Sequence, residues 1–118
     1  MSENDKPYDL EPRTELFAQR VRQLARKLPR TITNLEDIKQ LARASASVGS
    51  NYIEANESLG KKDFLMRIKI CRKESKESAF FLRLLYTNDP EQSSERDGLA
   101  QEAKDLMNIF GAILRKSE

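Results

Sequence analysis

The sequence has no histidine and no tryptophan, one cysteine, four glycines and four prolines in 118 residues. Each shortage excludes something. Without histidine there is no Ser-His-Asp or Cys-His catalytic set, and no histidine-containing zinc or di-iron site. A lone Cys71 cannot close an internal disulfide, which fits a reducing cytoplasm. So few glycines leave no Gly-rich phosphate loop, and with so few prolines there are few places to break a helix. No apolar run approaches the roughly 18 residues that would span a membrane. The polar, acidic start of the chain, Met1 to Pro12, is not a signal peptide.

What remains is charge and helical periodicity. Charged residues make up 34% and hydrophobic ones 38%, enough for one thin core in a single domain. Residues 1–12 read as a flexible tail, and residues 13–118 as one four-helix domain. A first helix is predicted over about 13–28, with Phe17, Val21, Leu24 and Leu28 as its apolar stripe and Pro29 as its stop. A second is predicted over about 33–57, started by a Thr33/Glu36 capping box. Its stripe is Ile38, Leu41, Ser45, Val48, Tyr52 and Ala55. A third is predicted over about 61–86, with Phe64, Ile68, Cys71, Ser75, Ser78, Leu82 and Leu85. Asp89-Pro90 reads as a cap followed by proline at the first helical position, opening a fourth helix to about Arg115. Its stripe is Leu99, Ala103, Leu106, Phe110 and Ile113. No segment alternates with a strand's period of two. Short connections and 4-3 stripes together predict an all-α, antiparallel up-and-down four-helix bundle. Small residues in the middle of the second and third helices predict that this pair makes the tightest contact.

The chemistry is sparse. Cys71 sits on an apolar stripe and reads as a structural thiol. Glu54 and Glu57, three apart on one helix face, are a carboxylate pair of the kind that does acid–base work or binds Mg²⁺, but capping, hydrogen-bonding or surface roles account for them more simply. A carboxylate-metal enzyme using Glu54, Glu74 or Glu77 is the third function class. Asn51 and Glu54 lie close to the core stripe and need partners on a neighbouring helix or subunit. The reading is therefore a non-enzyme with no cofactor, no metal, no small-molecule substrate and no membrane role.

Charge distribution is the one positive signal. Residues 13–30 are net +5, residues 61–83 are net +5, and the rest of the chain is net −8. Lys62, Lys69, Lys73, Lys76 and Arg83 form a stripe off the core, and Arg22 and Arg26 lie on the first helix. A basic stripe of this kind neutralises phosphates; the alternative is an ordinary solvated lysine-rich face. A self-assembling scaffold for another protein is the second function class.

Two segments carry a resemblance. Leu41-Ala-Arg-Ala-Ser-Ala-Ser-Val-Gly-Ser-Asn-Tyr-Ile-Glu-Ala55 contains Arg43, Ser47, Ser50, Asn51 and Glu54 in a recurring pattern. Lys62-Asp-Phe opens the third helix, and Glu74 and Glu77 follow. Together they resemble the small four-helix-bundle proteins encoded in intervening sequences of bacterial 23S ribosomal RNA genes. Many members have Gly where this chain has Ala55. The resemblance implies an antiparallel bundle and no known enzymatic activity. Members are similar to the accessory variability protein of diversity-generating retroelements. That similarity implies a homopentameric ring working with a reverse transcriptase and with RNA or DNA.

Overall fold

The computed structural model describes residues 9–117. It holds four α-helices and, among those residues, no strand: α1 (Leu10–Lys27), α2 (Ile32–Asn56), α3 (Lys61–Leu84) and α4 (Pro90–Ser117). The apolar stripes account for the core. Phe17, Val21, Leu24, Leu41, Val48, Ile68, Leu82, Leu106 and Phe110 are all buried. On α4 the last core contact is Leu114, with the neighbouring Ile113 half-buried.

The helix ends depart from expectation in instructive ways. α1 starts at Leu10, so the tail reading fails for residues 10–12, and residues 1–8 lie outside the described part. Leu10 is buried, and Pro12 sits in the first turn, where its missing N–H has no helical partner to lose. The cap of α2 is Thr31 rather than Thr33, with Thr31 Oγ1 accepting from the Asn34 N–H at 3.1 Å. α3 stops at Leu84, two residues short of Tyr86. The reason is Asn34, whose side chain holds both the N–H and the C=O of Tyr86 and takes them out of the helical ladder. The Asp89-Pro90 start is as read: Asp89 Oδ1 accepts from the Gln92 N–H at 2.8 Å and Pro90 is the first helical residue.

α3 packs along α2 and along α4, α1 packs on α2 and more lightly on α4, and the α1 and α3 backbones stay apart across the shared core. The four helices thus run round a ring in chain order, with α1 and α3 on a diagonal. The α2–α3 seam is built of small residues as expected: Ala44, Ser45 and Val48 face Cys71, Ser75 and Ser78. Cys71 Sγ donates to the Val48 carbonyl at 3.4 Å, and Ser75 Oγ bonds the Cys71 carbonyl one turn back at 2.8 Å. α3–α4 contact is equally extensive. α4 contributes larger buried residues such as Leu106 and Phe110, the latter against the Tyr52 ring of α2.

Candidate nucleic-acid interface

α3 has three acids, and the structure disposes of two of them on one side. Arg43 of α2 reaches across to Glu74 Oε1 at 3.2 Å and Glu77 Oε1 at 2.9 Å. Those hydrogen bonds, Glu77 first, raise the Arg43 pKa and hold the guanidinium charged. Glu74 is buried, so its carboxylate depends on this partner. One turn further along α2, Ser47 and Asn51 continue the same seam. Asn51 Nδ2 donates to the Ser47 carbonyl and to Ser47 Oγ, each at 2.9 Å, and Asn51 Oδ1 accepts from Arg67 Nη1 at 2.9 Å. Ser50 Oγ turns back to the Ser47 carbonyl at 3.4 Å. Glu54 is exposed, and its carboxylate makes no hydrogen bond or ion pair among the described residues. It lies three turns beyond Arg43, roughly 16 Å along the helix, so it does not join Glu74 and Glu77. Two residues of the recurring motif, Arg43 and Asn51, therefore stitch α2 to α3, with Ser47 holding Asn51 in place. Among the described residues no group of three metal-ligating side chains is assembled.

With Glu74 and Glu77 turned toward α2, and Asp63 left in the recess at the start of α3, the helix presents cations on its other side. Lys69, Arg72, Lys73 and Lys76 line a groove of about 440 Å³ between α3 and α4, floored by Met107 and Leu114. None of these four cations forms an ion pair among the described residues. Lys62 and Lys69 border a second recess at the start of α3, and Arg83 continues the exposed stripe at its far end.

α1 behaves differently. Arg22 lies in the groove between α1 and α2, lined also by Thr14, Ala18, Gly49 and Ile53, and folds back onto the Ala18 carbonyl. That groove is opposite the α3–α4 one. Arg26 is exposed on the same diagonal helix. The structure therefore brings the α3 cations together and does not bring Arg22 and Arg26 to them. Much of the remaining α1 charge meets acids of α4. Arg13 makes a two-point contact with Glu102 at 2.8 and 2.9 Å, and Lys27 Nζ meets Glu95 at 2.9 Å. Arg13 and Lys27 both have raised pKa values, in each case chiefly through that side-chain hydrogen bond. Sequence reasoning missed this pairing, although the net −8 outside the basic segments was its signal. It also passed over Arg72, which sits between two chosen lysines and lines the groove with them.

Cys71 is fully buried, and burial pushes its thiol up to about 12. It is a packing group of the seam.

A sequence profile described as 23S rRNA-intervening sequence protein matches residues 11–112. No curated protein matches at a significant level. A solved structure from Bacteroides thetaiotaomicron, described as a protein with unknown function from the S23 ribosomal protein family, superposes with a TM-score of 0.73. It is 22% identical and the match covers 88% of this chain and 96% of that one, a likeness of fold.

Proposed function

The chain belongs to the 23S rRNA-intervening sequence protein family, and from that premise we propose that it is a non-enzymatic bundle that binds nucleic acid along its α3–α4 groove. The observation that carries this reading is the set Lys69, Arg72, Lys73 and Lys76, gathered on one groove without a carboxylate partner among the described residues. Exposed ion pairs contribute only about 0–1 kcal/mol each, so stability does not call for such a segregation of charge. The groove lining has no aromatic residue. Bases have nothing there to stack on, and contact is with the phosphate backbone of RNA or DNA. A reverse transcriptase carrying its template is a nucleoprotein of the right chemistry for the same groove, and the cytoplasm is the fitting compartment. Fluorescence anisotropy with single- and double-stranded oligonucleotides at several salt concentrations tests the reading. Four neutralised phosphates give a slope of log K against log salt of about −3 for single strands. An absence of binding at roughly 50 mM salt removes it.

A second reading has its own observation. Ile32 and Leu35 at the start of α2, and Phe80, Leu84 and Tyr86 at the end of α3, are all exposed. Asn34 ties those two helix ends together, so this apolar surface belongs to one end of the bundle. Surface of that kind supports self-association, with a second copy of the chain as occupant and the homopentamer of the resembling proteins as the expected form. A ring would repeat the basic groove in each copy and strengthen its field. Light scattering coupled to size exclusion decides it: a monomer at about 14 kDa at all concentrations removes this reading and leaves the groove untouched.

A further inference from the structure

Gly111 is buried in α4, and two charges lie over it. A Cβ built at Gly111 would stand 3.4 Å from Arg115 Nη1 and 3.6 Å from Arg72 Nε. Guanidiniums from two different helices thus rest on one bare piece of backbone. Neither makes an ion pair or a side-chain hydrogen bond among the described residues. An arginine cannot relieve such crowding by losing its proton. Both side chains are exposed, so water screens most of their repulsion, and no carboxylate among the described residues sits between them to turn it into attraction. An anion between them converts repulsion into charge-assisted hydrogen bonds, for which the planar fork of arginine matches the oxygens of a phosphate.

From this we infer that Arg72 and Arg115 form a phosphate clamp floored by Gly111, gripping one backbone phosphate of a nucleic acid while Lys69, Lys73 and Lys76 attract its neighbours. The clamp rests on the nucleic-acid reading and adds to it a defined contact point. It makes binding depend on arrangement as well as on charge. A lysine face would tolerate any rearrangement that keeps its charge; a clamp would not. Gly111 matters because a larger side chain would occupy the place where the two forks meet.

The test uses charge-neutral changes in the full chain. Gly111→Leu pushes the guanidiniums apart, and the double variant Arg72→Lys with Arg115→Lys keeps both charges but removes both forks. A single-stranded oligonucleotide is titrated by anisotropy at about 100 mM salt, and inorganic phosphate is titrated by NMR while the Gly111 amide is followed. Both variants should bind the oligonucleotide at least about tenfold more weakly. Lys39→Gln, on exposed α2, should bind it as the parent does. Phosphate should shift the Gly111 amide in the parent and not in the double variant. If the parent binds the oligonucleotide and both charge-preserving variants match it, the clamp is refuted and the nucleic-acid reading stands. If phosphate shifts Gly111 but no oligonucleotide binds, the two arginines hold phosphate as inferred, and the nucleic acid as its source is overturned together with that reading. Affinity for polyglutamate equal to that for the oligonucleotide overturns the phosphate assignment. Binding of neither phosphate nor oligonucleotide overturns both.

Discussion

Replacing Asn34 by alanine should be among the most damaging single changes in the chain. The side chain is fully buried and makes three hydrogen bonds. Its amide donates to the Pro29 and Tyr86 carbonyls, each at 2.9 Å, and its oxygen accepts from the Tyr86 N–H at 2.8 Å. That single group fastens the α1–α2 connection, the start of α2 and the end of α3. Each bond is worth about 1 kcal/mol net, and backbone groups left without partners add to the cost. A loss of about 3 kcal/mol follows, a large share of the roughly 5–15 kcal/mol that holds a domain together. With a urea slope near about 1.5–2 kcal/mol/M, the unfolding midpoint should fall by roughly 1.5–2 M with little change in slope. Helical circular dichroism is the readout. Asn34→Asp sharpens the test. The carboxylate keeps the acceptor for Tyr86 but turns an oxygen toward two carbonyls. Its charged form is disfavoured in the folded state, which raises its folded pKa above the unfolded value. The variant should therefore be weakest at pH 7 and recover as pH falls through about 5. A loss below about 1 kcal/mol for Asn34→Ala, or an aspartate variant no weaker than the alanine one at pH 7, refutes the reasoning.

Gly49→Ala should destabilise despite its gain of about 1 kcal/mol in helix propensity. The new Cβ would stand 3.0 Å from Thr14 Oγ1, an overpacking cost of about 1–3 kcal/mol. In a Thr14→Ala background the same change should be less costly, and purely additive urea midpoints would contradict this. Arg43→Met should cost about 1–2 kcal/mol, between the exposed and buried limits, because Arg43 is half exposed but Glu74 is not. Glu77→Gln, touching only the exposed side of that contact, should cost under about 1 kcal/mol; an equal loss from both would disprove the asymmetry. Cys71, with its thiol pushed up to about 12, should have about one thiolate in ten thousand at pH 8. Iodoacetamide should label it only as fast as the bundle opens, so labelling at the rate of a free peptide thiol would count against its burial. The same shift makes stability fall as pH rises from about 9 toward 12, where the unfolded thiol ionises and the buried one stays protonated.

The helices themselves were legible because apolar spacing reports burial directly. Phe17, Val21 and Leu24, or Ile68, Cys71 and Leu82, occupy the core they spell out. The Asp89-Pro90 start was legible because both of its signals are local. Asn34 was not, since its partners lie 5 and 52 residues away and a lone asparagine carries no periodicity. For the same reason the Thr31 cap was displaced by a more regular Thr33/Glu36 pattern that the chain does not use. Charge was read by segment, which located the α3 stripe but could not show that α1 spends part of its charge on Glu95 and Glu102. Arg72 and Arg115 meet only through the packing of α3 on α4, a relation that spacing along one helix does not contain.

The pairing of α1 with α4 has a consequence of its own. α1 leans on α4 lightly, with Arg13–Glu102 and Lys27–Glu95 bridging the two helices from exposed or half-exposed positions. Dissolved ions screen such contacts over a length of about 8 Å at physiological strength. The groove on the other flank of α4 answers to the same ions, because they compete for any polyanion it holds. Rising ionic strength therefore weakens the two bridges between α1 and α4, which contribute little at such positions, while the buried Phe17, Val21 and Leu24 keep α1 in place.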